Sequence, residues 1–198
     1  MKKNSVKKKI VTEETVGVWV YILLLTAVTI LGWVLGSFKF SFGKASLTVA
    51  IFAYPFRYFI ANIITKKFGY KETFNAISYS ACLLLLFAIA ANLLSHQELD
   101  YVPLTGEILG YIASQVVNLV FYYYLLINTD GNKFALLATY ILAMLLDNFI
   151  SMLFSSRMIL ADSFWRTYFV TIMIQTIISI VLIFFDNKKI KTTRKIVR

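Results

Sequence analysis

The sequence predicts an all-α integral membrane protein, a single bundle of six transmembrane helices over residues 1–198. Three observations predict it. Apolar residues make up 59% of the chain, charged residues 15%, and the mean hydropathy is +0.73, well outside the range of soluble domains. The chain carries six runs of roughly 20 mostly apolar residues, the length an α-helix needs to cross a hydrocarbon core of about 30 Å. Those runs, such as YILLLTAVTILGWVLG and ISIVLIFF, are continuous rather than alternating, which excludes the dyad pattern of a membrane β-barrel.

The first run, 16–36, follows the basic head MKKNSVKKK. It is too long for a signal-peptide core and shows no small-x-small cleavage site, so it is expected to be retained as a first span. The remaining spans are expected at 46–65, 73–95, 107–128, 133–154 and 163–185, joined by short loops. Six spans leave no room for a soluble catalytic or nucleotide-binding domain. Of the 20 Lys and Arg, fifteen fall at the two ends and in the loops near 66–72 and 133, against four (Lys39, Lys44, Arg157, Arg166) on the opposite side. Cytoplasmic segments collect positive charge, so both termini are expected in the cytoplasm and the chain in the inner membrane of a bacterium. Basic ends beside an anionic leaflet explain the net charge of +10 without a nucleic-acid partner.

Catalytic signatures are absent from the sequence. No Gly-rich phosphate loop and no Cys/His cluster occurs; His96 falls in the polar loop SHQELDYVP, and Cys82 reads as a small core residue of the third span. No enzyme activity, metal or cofactor is expected. GWVLG at 32–36 and GEILG at 106–110 match the GxxxG pattern that lets helices approach closely, without specifying a dimer.

What remains are polar residues inside the spans, placed by a rise of 1.5 Å per residue. Arg57 is expected about 16 Å below the outer end of the second span, and Gln115 and Asn118 about 12 and 16 Å below an outer end at Glu107. Asp147 is expected about 10 Å and Gln175 about 18 Å from the outer ends of the fifth and sixth spans. A charge at this depth costs about 2.5–3.5 kcal/mol, so Arg57 and Asp147 are expected to face the interior. Two readings fit: a buried ion pair with amide hydrogen bonds holding the bundle, or a polar cavity for a solute. Tyr54 and Tyr58 share a helix face with Asn62, and Tyr122 lies one turn from Asn118. Phenol rings beside amides and a carboxylate suit a flat, hydrogen-bonding heterocycle; Tyr123 and Tyr124 read as interfacial anchors.

The segments YPFRYFIANIITKKFGYKETFNAI, SQVVNLVFYYYLL and LATYILAMLLDNFISMLF resemble, in order and spacing, three signature segments of the VUT family of queuosine precursor transporters, the YhhQ-like proteins. The aromatic-Pro pair aligns with Tyr54-Pro55, an acidic position with Asn62, the basic or acidic position four later with Lys66, and an aromatic-Gly pair with Phe68-Gly69. Gln-x-x-Asp aligns with Gln115 and Asn118, and the third acid with Asp147. Two of three acidic positions are amides here. The resemblance implies a six-helix bundle similar to the substrate-binding S components of ECF transporters. It also implies import of queuine, preQ0 or preQ1, planar 7-deazaguanine bases used in tRNA modification, with a neutral base favoured by the lost acids. Asp147 is the candidate to accept a guanine-like pair of N–H groups through both its oxygens. An ECF-type binding subunit with its coupling module, a homo-oligomer and a non-transporting assembly protein stay open as alternatives.

Overall fold

The computed structural model describes residues 2–95, 101–129, 132–155 and 162–185, with side chains described for 17–94, 104–129, 132–154 and 164–184. The expected loop around His96 and the basic tail after 185 lie outside the described residues. Among the described residues there are six α-helices: α1 (Lys2–Gly36), α2 (Tyr54–Phe68), α3 (Tyr70–Ser95), α4 (Tyr101–Asn128), α5 (Lys133–Ser155) and α6 (Asp162–Phe185). Between α1 and α2 lie an antiparallel hairpin, β1 (Lys39–Phe42) with β2 (Ala45–Thr48), and a 3-10 turn, Val49–Phe52.

Among the described residues five segments are long and apolar enough to cross a membrane: Gly17–Gly36, Tyr70–Leu94, Leu104–Asn128, Lys133–Phe154 and Phe164–Phe184. The chain is an all-α, multi-pass membrane protein. The expected span 46–65 is corrected: only its second half is α-helical. α2 has 15 residues, about 22 Å of helix, and residues before it are strand and 3-10 turn. The hairpin register explains why helix gives way there. Phe40 faces Leu47 and Phe42 faces Ala45, on one face, and Ala45, Leu47 and Ile51 bury against Val170 and Ile174 of α6. The alternate positions Lys39, Ser41 and Ser46 are exposed, and so is Phe42 at the turn end of β1, so the covered face is chiefly that of β2. A two-residue alternation of this kind suits a strand with one covered face.

Local chemistry sets the ends of α2. Pro55 sits in its first turn, where the N–H it lacks would have had no helical partner. Gly69, at φ 91°, closes the helix by donating its N–H to the Thr65 carbonyl, a left-handed position that glycine occupies without strain. α3 then starts at the next residue. A side chain at Gly17 would meet Phe68, and one at Gly32 would come within 3.0 Å of the Tyr54 ring, so α2 runs back antiparallel along α1. It also packs on α3, α4, α5 and α6, which makes it the central element. Nine of its fifteen residues are buried, including Arg57, Tyr58 and Asn62.

The glycines of GEILG act within the chain. A Cβ at Gly106 would lie 2.3 Å from Cβ of Phe154, and one at Gly110 would lie 2.7 Å from Oγ of Ser151 and 2.9 Å from Oδ1 of Asp147. Only glycine lets α4 approach α5 this closely. Cys82, expected in the core, is exposed on α3. Its neighbours Ala81 and Leu84 take the inward face instead.

Candidate functional site

The helical period brings one stripe of each inner helix to a common interior. On α2 the stripe is Tyr54, Arg57, Tyr58 and Asn62; on α4 it is Glu107, Tyr111, Gln115 and Asn118; on α5 it is Thr139, Asp147 and Asn148; on α6 it is Gln175. On α4 these residues recur at four-, four- and three-residue steps, and Tyr54, Tyr58 and Asn62 of α2 at four, so each of these sets lies on one face; Arg57 and Asn148 are direct neighbours of a stripe residue and widen it.

Arg57 is the hub, with no exposed surface. Its Nη2 donates to Oδ2 of Asp147 at 2.9 Å and its Nη1 to Oε1 of Glu107 at 3.3 Å. The guanidinium carbon lies 3.9 Å from the centre of the Tyr54 ring and 5.2 Å from that of Tyr111. The two phenols complete the shell: Tyr54 donates to Oε2 of Glu107 at 3.0 Å and Tyr58 to Oδ2 of Asp147 at 2.8 Å. Tyr111 in turn bonds Ser80 of α3. A guanidinium out of water is tolerated when carboxylates and ring faces replace its hydration, and this cluster supplies both.

Two amide pairs flank the cluster. Asn118 donates through Nδ2 to Oδ1 of Asn62 at 2.8 Å, while Thr139 donates to Oδ1 of Asn118 at 3.4 Å. Asn148 donates through Nδ2 to Oε1 of Gln175 at 2.7 Å. The three positions expected to carry the site's acids thus divide: Asp147 holds Arg57, while Asn62 and Asn118 bond each other.

Several expected site residues have other work. The Tyr54 ring lies between Gly32 and the guanidinium, and Tyr58 packs on Tyr140; both orient charged groups rather than offering a bare ring face. Tyr122 joins an apolar cluster with Leu126 and Leu136. Asp147 keeps only Oδ1 outside its hydrogen bonds, so a bidentate grip on two adjacent N–H groups is not open to it. Tyr124 is exposed and Tyr123 packs edge-on to Tyr70.

The sequence reading missed Glu107 and Asn148. Glu107 had been placed at an outer helix end, but α4 begins at Tyr101, which sets Glu107 about 9 Å into the helix. Its side chain is only 13% exposed. The signal was present in the spacing, because Glu107 precedes Tyr111 and Gln115 by four and eight residues.

Buried polar atoms without a hydrogen-bond partner concentrate in the same interior. Among the described residues they include Nε of Arg57, Nδ2 of Asn62, both Nε2 and Oε1 of Gln115, Oδ1 of Asp147 and Nε2 of Gln175, with Oγ1 of Thr26 on α1 a further one. Buried donors and acceptors are normally satisfied, and an orphan costs about 1–3 kcal/mol. Gln115 stands out because it is fully buried and neither end of its amide is bonded. Among the described residues no group of three or more His, Cys, Asp or Glu could hold a metal ion. No protein family, curated protein or solved structure matches this chain.

Proposed function

We propose that this protein is a membrane transporter importing a planar 7-deazaguanine-type base, a queuosine precursor of the queuine, preQ0 or preQ1 class. The reading includes the VUT-like resemblance of the α2, α4 and α5 segments. It also takes α2 with its 3-10 turn as the sixth crossing of an S-component-like bundle, in a bacterial inner membrane with both termini cytoplasmic.

Gln115 is the observation that carries it. A primary carboxamide presents one donor and one acceptor side by side, the complement of a lactam edge in which a ring N–H adjoins a carbonyl. A deazaguanine has that edge. Gln115 Nε2 would donate to the ring carbonyl while Oε1 accepts from the ring N–H, and both atoms are buried and unbonded. Nδ2 of Asn62, Nε2 of Gln175 and Nε of Arg57 offer further donors to ring nitrogens. The purely structural alternative, amide glue between helices, accounts for Asn62–Asn118 and Asn148–Gln175 but gives Gln115 no partner.

The test is uptake of labelled deazaguanines in cells unable to make queuosine, with and without this protein. Uptake should depend on its expression. Gln115→Met, similar in length but without hydrogen bonds, should weaken apparent affinity by about five- to 150-fold at matched membrane levels, since two neutral bonds at about 0.5–1.5 kcal/mol each are lost. Normal uptake by Gln115→Met would remove Gln115 as the reader, and no uptake by the parent protein would sink the function.

A further inference from the structure

The buried cluster does not balance its charge. Arg57 brings one positive charge, Glu107 and Asp147 bring two negative ones, and α2, α4 and α5 add only the phenols Tyr54, Tyr58 and Tyr111. At the other elements packed around it, α1 contributes Gly32 and α3 contributes Ser80, while α6 contributes Gln175 and Tyr168, whose hydroxyl donates to the Leu145 carbonyl. Among the described residues none of these supplies a second cation. An uncompensated charge in a low-dielectric interior costs several kcal/mol, so the cluster is built to take up one positive charge.

We propose that this charge is a proton carried by Glu107, and that its binding and release couple solute movement to the proton gradient. The coupling half of this inference rests on the transporter reading; the proton site does not. The unbonded atoms near the cluster argue for a proton over a metal cation. Among the described residues four are donors, on Arg57, Asn62, Gln115 and Gln175, against Oδ1 of Asp147 and Oε1 of Gln115 as acceptors, fewer than the roughly six or more oxygens a hard cation takes.

Glu107 is favoured over Asp147 by access and by partners. Its side chain is 13% exposed against 2% for Asp147 and 0% for Arg57, and its bond to Arg57 is the longer of the two. Its Oε2 faces the Tyr54 hydroxyl at 3.0 Å, and a phenol can accept as well as donate. A proton arriving from outside forms an O–H bond at Oε2, the Tyr54 hydroxyl rotates to accept it, and no heavy atom moves. Arg57 keeps its bond to Asp147. On release toward the cytoplasm the O–H bond breaks, water takes the proton, and Tyr54 donates again. Asp147 has both Arg57 and Tyr58 on one oxygen, so its pair is the fixed half of the cluster.

The proton site is tested on the full chain in liposomes without solute, by infrared difference spectra between acid and alkaline buffer. A protonated-carboxyl stretch should appear on acidification, shift when the protein carries 13C-carboxyl glutamate but not 13C-carboxyl aspartate, and vanish in Glu107→Gln. A stretch that shifts with aspartate labelling, or that sodium abolishes, overturns the proposal, and so does the absence of any stretch. The isotope measurement narrows the signal to the five glutamates, and Glu107→Asp, which should move it to the aspartate label, assigns it to position 107 where Glu107→Gln folds poorly. The coupling is tested in the same liposomes with labelled preQ0, a neutral base, in sodium-free buffer. The parent should accumulate it under an inside-alkaline gradient, and Glu107→Gln should lose accumulation. Accumulation by Glu107→Gln equal to the parent overturns coupling. A Glu107 signal with no preQ0 movement under any gradient would sink the transporter reading while leaving the proton site standing.

Discussion

α2 and α3 are consecutive helices joined by one glycine, yet they are built by opposite rules. α2 has 15 residues, nine of them buried, among them an arginine, a tyrosine pair and an asparagine. α3 has 26 residues and buries chiefly small ones, Ala76, Ser80, Ala81 and Ala88, while Leu86, Leu93 and Leu94 are 60%, 70% and 83% exposed. A helix facing lipid must be apolar on its outside, because tails offer no hydrogen bonds. A helix surrounded by other helices is free of that demand and can carry the polar chemistry. Apolar runs at 46–65 and 73–95 mark both segments in the sequence, but they do not tell the lipid-facing helix from the one that holds the centre of the site.

If that contrast is right, changes of similar size should have very different effects on the two kinds of face. The largest effect should come from Asp147→Ala, which leaves Arg57 with Glu107 alone. Breaking a buried pair costs at most about 3–5 kcal/mol, an upper bound here because Glu107 stays on the guanidinium, read as loss of folded protein in detergent melting. Removing Arg57 as well should not restore the fold fully, since Glu107 would keep only Tyr54. Recovery is expected only when Arg57→Met and Asp147→Asn are combined with Glu107→Gln. The comparison is made in alkaline buffer, where Glu107 carries no proton; full recovery there by the double change without Glu107→Gln would remove Glu107 from the cluster's charge balance.

Next come the close helix contacts. Gly110→Ala would press its Cβ against the Asp147 carboxylate and backbone, and Gly106→Ala would meet the Phe154 side chain near its stem. Overpacking of this kind costs about 1–3 kcal/mol, and Gly36→Ala, whose Cβ would have open space, is the control that should be near neutral. Equal melting temperatures for all three would remove the α4–α5 contact from the argument.

Smaller still is Asn118→Asp in acidic buffer. The carboxylate loses the donor that now bonds Asn62, but Asn62 has an unbonded Nδ2, and turning its amide over restores one bond. The cost should stay below about 1 kcal/mol in acidic buffer, where the new acid is neutral, and rise by about 2.5–3.5 kcal/mol where it ionises at this depth, checked by melting at both pH values. If Asn62→Leu is added, the carboxylate loses that rescue and the double variant should be clearly less stable than either alone. The smallest effect is expected from Leu86→Ala on the lipid face of α3, within about 0.5 kcal/mol. A loss comparable to that of Asp147→Ala would mean that this face of α3 is covered by protein, and the contrast between the helices would fall.

The sequence by itself determined the class of the protein and most of its long helices. Continuous apolar runs in lipid have little choice but α-helix, because every backbone donor must find its acceptor within the segment. It also determined which residues share a face: Tyr54, Tyr58 and Asn62, or Gln115 and Asn118, follow from 3.6 residues per turn. The tertiary structure alone decided what those faces meet. That Arg57 divides itself between Asp147 and Glu107, that Asn62 bonds Asn118, and that Gln115 bonds neither depends on the depth and rotation of helices distant in sequence. The same holds for residues 45–51, which leave the helical pattern because α6 covers Leu47 and Ile51. Non-helical backbone at such a place is tolerated where protein, rather than lipid, lies against it, and local sequence does not reveal which of the two will be its neighbour.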